Sequence, residues 1–290
     1  MATTHTKSAA RAMLAPSVIA LFAWMIVPLV LTLYFSTLNY SLYNPIDAPF
    51  IGFENYTYFL SDPTFLESFK NTLLLVGGVL LITILGGILV ALLMDQEFYG
   101  QTVVRLLVLA PFFVMPTVAA LVWKNMMMNP VYGVIGYVLN SVGIGAIDWL
   151  TTAPLLSVVI IVAWQWLPFS TLILLTSLQS LAEDQKEAAE MDGAGALSIF
   201  WYITLPHMKR AITVVILIQT IFLLSVYAEI FVTTGGGPGA QSTNIPFLVA
   251  NLIQQSGDVG TASAGGIVAV VLANIVAFFL VRLVGKNLEA

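Results

Sequence analysis

The sequence contains no cysteine and only two histidines. Without cysteine there is no disulfide, no thiolate metal site and no iron–sulfur cluster. His5 and His207 both lie in polar segments, which excludes haem ligation and an HExxH metalloprotease site within a membrane. We therefore expect the chain itself to bind no metal and no cofactor.

Charge is also scarce. Charged residues make up 9% of the 290 residues and hydrophobic residues 59%, whereas a soluble domain has roughly 25% charged residues. A water-soluble globule of this size could not bury that much apolar surface. The net charge is −5 and there is no basic run, so no nucleic-acid partner is expected. The composition predicts a membrane protein in contact with lipid.

Apolar runs long enough to cross a bilayer, about 20 residues each, occur six times. They predict an all-α integral membrane protein with six transmembrane helices. The first run follows Lys7 and Arg11 but is much longer than the core of a secretory signal, so we expect it to be retained. The predicted spans are Met13–Leu38, Thr72–Met94, Val103–Trp123, Pro154–Leu178, Ile212–Thr233 and Ala264–Val284.

The distribution of Lys and Arg predicts the orientation, because positive charge resists transfer out of the cytoplasm. With both termini inside, the cations expected in the cytoplasm are Lys7, Arg11, Arg105, Lys186, Lys209, Arg210, Arg282 and Lys286. Only Lys70 and Lys124 then lie outside. We expect residues 1–12 to form a cytoplasmic amino-terminal segment and residues 13–290 one six-helix transmembrane domain.

A cytoplasmic loop at residues 180–206 separates the fourth and fifth predicted spans. Ser180 and Glu183 have the spacing of a capping box, which predicts a helix that starts there. Gly193 and Gly195 should end it, and a second short amphipathic helix should close at Pro206. Small residues would let this loop approach a partner protein closely. The alternative is an amphipathic hairpin on the lipid surface, but such helices are usually rich in Lys and Arg, and this loop is acidic.

The stretch from Glu187 to Pro206 reads EAAEMDGAGALSIFWYITLP. It resembles the EAA loop of binding-protein-dependent ABC importer permeases, with the pattern EAAxxDGA, a Phe and then IxLP. The resemblance implies the type I ABC importer permease fold and a coupling helix that docks on an ATPase subunit. It assigns ATPase coupling to Glu187, Ala188, Ala189, Asp192, Gly193, Ala194, Phe200, Ile203, Leu205 and Pro206.

The same resemblance implies partners and a location. We expect a sister permease in a heterodimer, an ABC ATPase dimer that carries ATP and Mg, and an external solute-binding protein. The expected location is the bacterial inner membrane. The chain would be a non-catalytic transport subunit and not an enzyme.

Two external stretches narrow the resemblance to carbohydrate-uptake permeases of the maltose and glycerol-phosphate type. One is FIGFENY at residues 50–56, followed by Asp62 and Pro63, which can cap and open a helix leading into the second span. The other is a glycine-rich loop with Gly235, Gly236, Gly237 and Pro238. Together they imply the subunit that corresponds to the larger maltose-type permease, and a sugar, sugar alcohol or related small solute.

The glycine-rich loop has other interpretations. A phosphate-binding P-loop needs GxxxxGK and a following Ser or Thr, and no lysine occurs between Arg210 and Arg282. The loop is therefore either a flexible turn between spans or a part of the external mouth.

Polar residues at membrane depth usually face a cavity or another helix, because they are costly in lipid. On this basis, the solute-path candidates are Gln165, Trp166, Gln219, Tyr227 and Glu229. The aromatic members could stack on a sugar ring. Alternatively, Trp and Tyr act as interfacial anchors and Gln pairs between helices.

Two other functions remain open from composition alone. A secondary active transporter would usually show intramembrane charges for ion coupling, and only Glu229 hints at that. A membrane-embedded enzyme would need a catalytic constellation, and the predicted spans contain no His, Cys or Lys. The EAA-type loop has no part in either scheme.

Overall fold

A computed structural model describes the backbone of residues 4–288 and the side chains of residue 9, residues 11–279 and residue 282. The side chains of Lys7 and Lys286, which contribute to the predicted orientation, lie outside the described residues. Over residues 4–288 the regular structure is helical, apart from isolated β-bridges. This confirms the predicted all-α class.

The helices follow in chain order. They are α1 (Thr4–Phe35), α2 (Glu54–Ser61), α3 (Pro63–Asp95), α4 (Gln101–Leu109), α5 (Pro116–Val122), α6 (Val134–Ser141), α7 (Trp149–Thr152), α8 (Pro154–Gln179), α9 (Glu183–Met191), α10 (Ala196–Ile199), α11 (Leu205–Leu223), α12 (Ala228–Thr233), α13 (Ile245–Ser256) and α14 (Val259–Leu288). A 3₁₀ turn follows α4, and π-helical segments follow α5 and α10.

Five helices in the described chain are long and apolar enough to cross a membrane. They are Arg11–Phe35, Pro63–Asp95, Pro154–Gln179, Ala196–Leu223 and Val259–Phe279. A sixth span is present only if Gln101–Phe113 and Pro116–Met127, which meet at a bend of 106°, count as one. The six predicted spans are therefore five continuous helices and one broken pair.

The prediction of a continuous third span from Val103 to Trp123 is wrong because two prolines interrupt it. Pro111 opens the 3₁₀ turn and Pro116 opens α5. Val114 and Met115 before Pro116 are extended, with ψ angles of 130° and 139°. A residue before proline is pushed out of the helical region by contact with the ring, so the helix ends there.

The predicted fifth span, Ile212–Thr233, is also wrong at both ends. Its helix begins upstream, at Ala196, and stops at Leu223. Residues 224–227 separate it from α12, and the side-chain amide of Asn244 donates to the carbonyl of Val226 at 2.6 Å. A side chain thus supplies a hydrogen bond to backbone that has left the helix.

The backbone forms two compact units. One comprises the chain up to Asp62 together with Val249–Val270, and the other comprises Pro63–Leu248 and the chain from Val271 onwards.

In the first unit, Asn55 of the FIGFENY stretch holds the chain just beyond α1. Its buried amide donates to the carbonyls of Ser36 and Leu38 at 2.9 and 2.8 Å. Its oxygen accepts a hydrogen bond from the Thr261 hydroxyl at 3.3 Å. A side chain at Gly260 would collide with the Leu38 carbonyl, so glycine permits this close approach.

In the second unit, α3 packs along α8, and α11 joins them. The contact is close because a Cβ at Gly87 would lie 2.9 Å from the Ser170 Cβ, and one at Gly78 would lie 3.1 Å from the Val159 Cγ1. Small residues allow such approach between membrane helices. One apolar cluster contains Leu75, Val79, Val162, Leu223 and Phe247, and another contains Ile88, Met94, Leu174, Leu178 and Met208.

We predict that Asn55→Ala destabilises the protein, because two buried carbonyls lose their donors. The expected cost is about 1–3 kcal/mol. SDS-titrated unfolding of the purified protein measures it. Asn140→Ala is the matched control, since Asn140 is exposed, and it should leave the unfolding midpoint unchanged. Equal midpoints for both variants would contradict this role of Asn55.

Candidate functional site

The first candidate site is the segment between α8 and α11, which we call the coupling segment (residues 180–206). Its first helix, α9, contains no buried residue. Among the candidates for ATPase coupling, Glu187, Ala188, Asp192, Gly193 and Pro206 are exposed. Ala189, Ala194, Phe200, Ile203 and Leu205 are half-buried. The segment thus offers its acidic side chains to the outside and keeps its later apolar residues against the bundle.

The predicted capping box is wrong. Helix α9 begins at Glu183 with Ala182 at its N-cap position, and no side chain caps it. The Ser180 hydroxyl instead donates to the carbonyl of Ser177 at 2.6 Å and lies 3.0 Å from Nε2 of His207. Ser180 therefore closes the end of α8, which leaves it unavailable to the helix that follows.

The glycine break is present, and it is a Schellman motif. Gly193 has φ of +84°, and its N–H donates to the Glu190 carbonyl at 2.9 Å. The next N–H, from Ala194, donates to the Ala189 carbonyl at 2.9 Å. This pair of bonds satisfies the last carbonyls of a helix, and it places glycine where a Cβ would be strained. Nothing lies within 4 Å of the position that a Cβ would take.

The second helix of the coupling segment does not close at Pro206, so that prediction is wrong. It runs from Ala196 through a π-helical turn at Phe200–Thr204 and continues as α11 to Leu223. Proline has no N–H and its ring clashes with a preceding carbonyl, and a wide turn just before it accommodates both effects. Pro206 therefore also starts no separate span.

Large apolar side chains remain exposed along the coupling segment. The exposed fraction is 89% for Met191, 72% for Leu197 and 82% for Tyr202. Lipid accounts for exposed apolar residues on the long spans, but Met191 and Leu197 belong to a polar stretch. Such a patch beside acidic residues is typical of a protein contact surface.

The second candidate site is a cavity of about 430 Å³ beside the break in the third span. We call it the aromatic cavity. It is lined by Phe112, Val114, Pro116, Gln165, Trp166, Phe169, Ile218, Phe222 and Glu229. The ring of Phe112 stacks on Phe169 with centroids 5.9 Å apart and meets Trp166 edge-on at 5.8 Å. Four aromatic rings thus form its walls.

Two buried polar side chains reach the aromatic cavity. Gln165 is 6% exposed and donates its amide to the Val114 carbonyl at 3.1 Å. Its side-chain oxygen is buried and has no hydrogen-bond partner in the structure. Glu229 is 5% exposed and opens α12. Unsatisfied acceptors in an aromatic cavity suit a ligand that donates hydrogen bonds.

The structure places the other two solute-path candidates elsewhere. Gln219 is fully buried between helices: its oxygen accepts from Thr83 at 2.7 Å, and its amide donates to the Ser170 hydroxyl at 2.7 Å. Tyr227 packs against an apolar cluster, where its ring stacks on Phe231 and Phe247.

The sequence analysis did not select three of the cavity's aromatic rings. Phe112, Phe169 and Phe222 carry no polar atom, so a search for polar residues at membrane depth passes over them. The available signal was Pro111 and Pro116, because backbone that leaves the helix inside a membrane protein usually lines a cavity.

The glycine-rich loop is folded tightly onto the second unit. Thr234 and Ser242 hydroxyls lie 2.7 Å apart. Asn71 of α3 donates to the carbonyls of Ala240 and Thr243 at 2.9 and 3.0 Å. Gly236 has φ of +85°, and a Cβ there would meet the Thr243 hydroxyl and the Phe247 ring.

A polar depression of about 470 Å³ adjoins this loop, with Lys124, Asp148, Thr234, Gly237 and Pro238 among its lining residues. Lys124 donates to the carbonyls of Val232 and Thr233 at 2.9 and 3.0 Å. The predicted loop residues Gly237 and Pro238 thus border a surface pocket, whereas Gly236 packs inside. Within the part of the chain that was described, no group of His, Cys, Asp and Glu could hold a metal ion.

The chain is similar to known transport proteins. The family model for the inner membrane component of binding-protein-dependent transport systems matches residues 83–290. A probable ABC transporter permease of Sinorhizobium fredii is 37% identical over 240 residues, which cover 82% of this chain and 77% of the relative. The trehalose/maltose transport system permease of Thermococcus litoralis is 35% identical over 274 residues, which cover 93% and 91%.

A solved structure agrees with these relatives. A chain of a bacterial alginate ABC transporter, in complex with an alginate pentasaccharide-bound periplasmic protein, has a TM-score of 0.78 and 25% identity. The match covers 94% of this chain and 92% of that one. The resemblance at residues 187–206 is thus confirmed, and the chain belongs to the family of inner membrane components of binding-protein-dependent transport systems.

Proposed function

We propose that this chain is one of two permease subunits of an ATP-driven importer for a sugar, sugar alcohol or related hydroxyl-rich solute. A separate ABC ATPase dimer carries ATP and Mg, and an external binding protein delivers the solute. The coupling segment faces the cytoplasm, as the Lys and Arg distribution predicts. The relatives transport trehalose and maltose in one case and alginate in the other, which favours a carbohydrate.

Helix α9 is the observation that carries the coupling role. A nine-residue helix with no buried residue contributes little to the packing of its own chain. Its acidic side chains and the exposed Met191 offer charge for orientation and apolar area for docking. The Schellman turn at Gly193 fixes the direction in which the chain leaves this helix. These features fit a segment that seats in a cleft of the ATPase.

The aromatic cavity supports a carbohydrate solute. Aromatic rings pack on the apolar faces of pyranose rings, and acceptor oxygens bind their hydroxyl groups. The side-chain oxygen of Gln165 and the carboxyl group of Glu229 supply acceptors here, and Trp166, Phe169 and Phe222 supply rings. We assign Gln165, Trp166 and Glu229 to the solute path. Gln219 and Tyr227 contribute to it by holding the helices around the cavity.

A secondary active transporter is the competing function. It would need no partner ATPase, and it would move solute without ATP. In such a protein α9 would have no partner, and its exposed surface would have no purpose. The two functions are separated by purification of the complex from its native membrane in mild detergent, followed by identification of the subunits and ATP-dependent uptake in vesicles.

We predict that Gly193→Ala weakens the association with the ATPase roughly 5-fold, since a Cβ in the left-handed region costs about 1–2 kcal/mol. Pull-down of the ATPase subunit from a mild-detergent extract measures it. Gly195→Ala is the matched control, because Gly195 has φ of −77° and, like Gly193, open space around it. If both variants recovered the ATPase as the unchanged chain does, α9 would not be the docking element.

We predict that Trp166→Leu and Phe169→Leu each lower solute uptake roughly 2- to 10-fold, the value of one lost ring contact. ATP hydrolysis without solute should stay unchanged. Uptake of radiolabelled solute in vesicles measures the effect once the solute has been identified by screening sugars and polyols.

Trp164→Leu is the matched control for these variants. Trp164 lies on the same helix, but its ring meets Trp123 at 5.8 Å and it is not among the residues lining the cavity. Uptake should remain close to that of the unchanged chain. A larger loss in Trp164→Leu than in Trp166→Leu would move the solute path away from the aromatic cavity.

A further inference from the structure

Helix α9 meets the rest of its own chain through one ion pair. Nζ of Lys186 lies 3.4 Å from Oδ2 of Asp95, the last residue of α3. The two side chains are 31% and 25% exposed. Since α9 has no buried residue, this pair is the polar side-chain contact that the structure gives the helix within the described residues.

Asp95 sits on a firmly held end of α3. The preceding residue, Met94, is buried in an apolar cluster with Leu178 of α8 and Met208 of α11. The Met94 carbonyl accepts hydrogen bonds from Gln101 at 2.9 Å and from Arg105 at 3.0 Å. The ion pair therefore ties the exposed α9 to a fixed point of the bundle.

The charge of Asp95 is on the unfavourable end of its helix. The carbonyl groups at a helix C-terminus carry partial negative charge, so a carboxylate there destabilises the helix slightly. Lys186 offsets that repulsion. A carboxylate at this position adds nothing to α3 itself, but it provides a partner for a lysine on the coupling segment.

Helix α3 is suited to carry motion across the membrane. It has 33 residues and no proline after its first position, whereas α1 contains Pro16 and Pro28, and α8 contains Pro168. At about 1.5 Å per residue it is about 50 Å long. Asn71, near its other end, binds two carbonyls of the glycine-rich loop.

We propose that the Lys186–Asp95 ion pair is the positioning contact that makes α9 and α3 move as one body during transport. A displacement of α9 by the ATPase then reaches the glycine-rich loop through α3. This inference rests on the proposed importer function, and it assigns Lys186 and Asp95 a role in coupling. Neither residue touches solute or nucleotide.

A charge-reversal cycle on the complete complex tests the proposal. The complex is reconstituted in proteoliposomes with its binding protein, and the measured quantity is the amount of solute imported per ATP hydrolysed. Lys186→Glu and Asp95→Lys should each lower that ratio roughly 2- to 5-fold, the range of a partly exposed ion pair. The double variant restores the pair with exchanged charges and should recover the ratio.

Two control variants carry the same charge changes at residues without an ion pair in the described structure. Lys209→Glu matches the first reversal and Glu97→Lys the second, since both residues are exposed. Neither should alter the ratio. Unchanged ratios in the single reversals, or a double variant no better than either, would overturn the proposal. Failure of the unchanged complex to import solute with ATP would instead reject the importer function.

Cross-linking gives an independent measurement, because the chain has no cysteine of its own. Cysteines in place of Lys186 and Asp95 can be joined by a short bismaleimide, with partner subunits that lack accessible cysteine. If the two helices move as one body, the cross-linked complex keeps the import rate of the same variant without cross-linker. A block of import on cross-linking would mean that α9 must separate from α3, which contradicts the proposal.

Discussion

The side-chain amide of Gln219 joins three spans at a point where lipid offers no hydrogen bonds. It accepts from Thr83 of α3 and donates to the Ser170 hydroxyl and the Trp166 carbonyl of α8. An unpaired amide at that depth would cost several kcal/mol, so each partner must stay in place. Gly87 allows this, since α3 and α8 approach closely beside Ser170. The register of α3, α8 and α11 depends on this contact, and the walls of the aromatic cavity depend on the register.

Hydrophobic length predicted the spans well where the helix is uninterrupted. The second and fourth spans begin and end near the predicted residues because nothing inside them breaks the hydrogen-bond ladder. The third and fifth fail, because mean apolarity does not register Pro116 or the non-helical turn at residues 224–227. The helix α9 could be placed from its glycines, but its N-terminal cap could not. Whether Ser180 caps α9 or closes α8 depends on His207, which lies 27 positions away in sequence.

The same breaks that defeated the prediction build the candidate solute path. The bend at Val114 releases a carbonyl, and Gln165 binds it. The end of α11 at Leu223 lets the chain turn so that Glu229 opens α12 at the cavity. Sequence reasoning selected Gln165, Trp166 and Glu229 from polarity and aromatic character alone, and the structure groups them around one cavity. Phe112 and Phe222 could not be selected in that way, because only the broken backbone brings them there.

Helix α9 takes little from the bundle and gives little to its stability, as none of its residues is buried. Selection on its sequence is therefore free of packing demands, apart from the lysine that meets Asp95 and the glycine of its terminal turn. Such a segment behaves as an interchangeable connector. Transplanting residues 183–194 from a permease with a different ATPase should redirect the pairing without refolding the membrane domain, so one bundle can serve several motors.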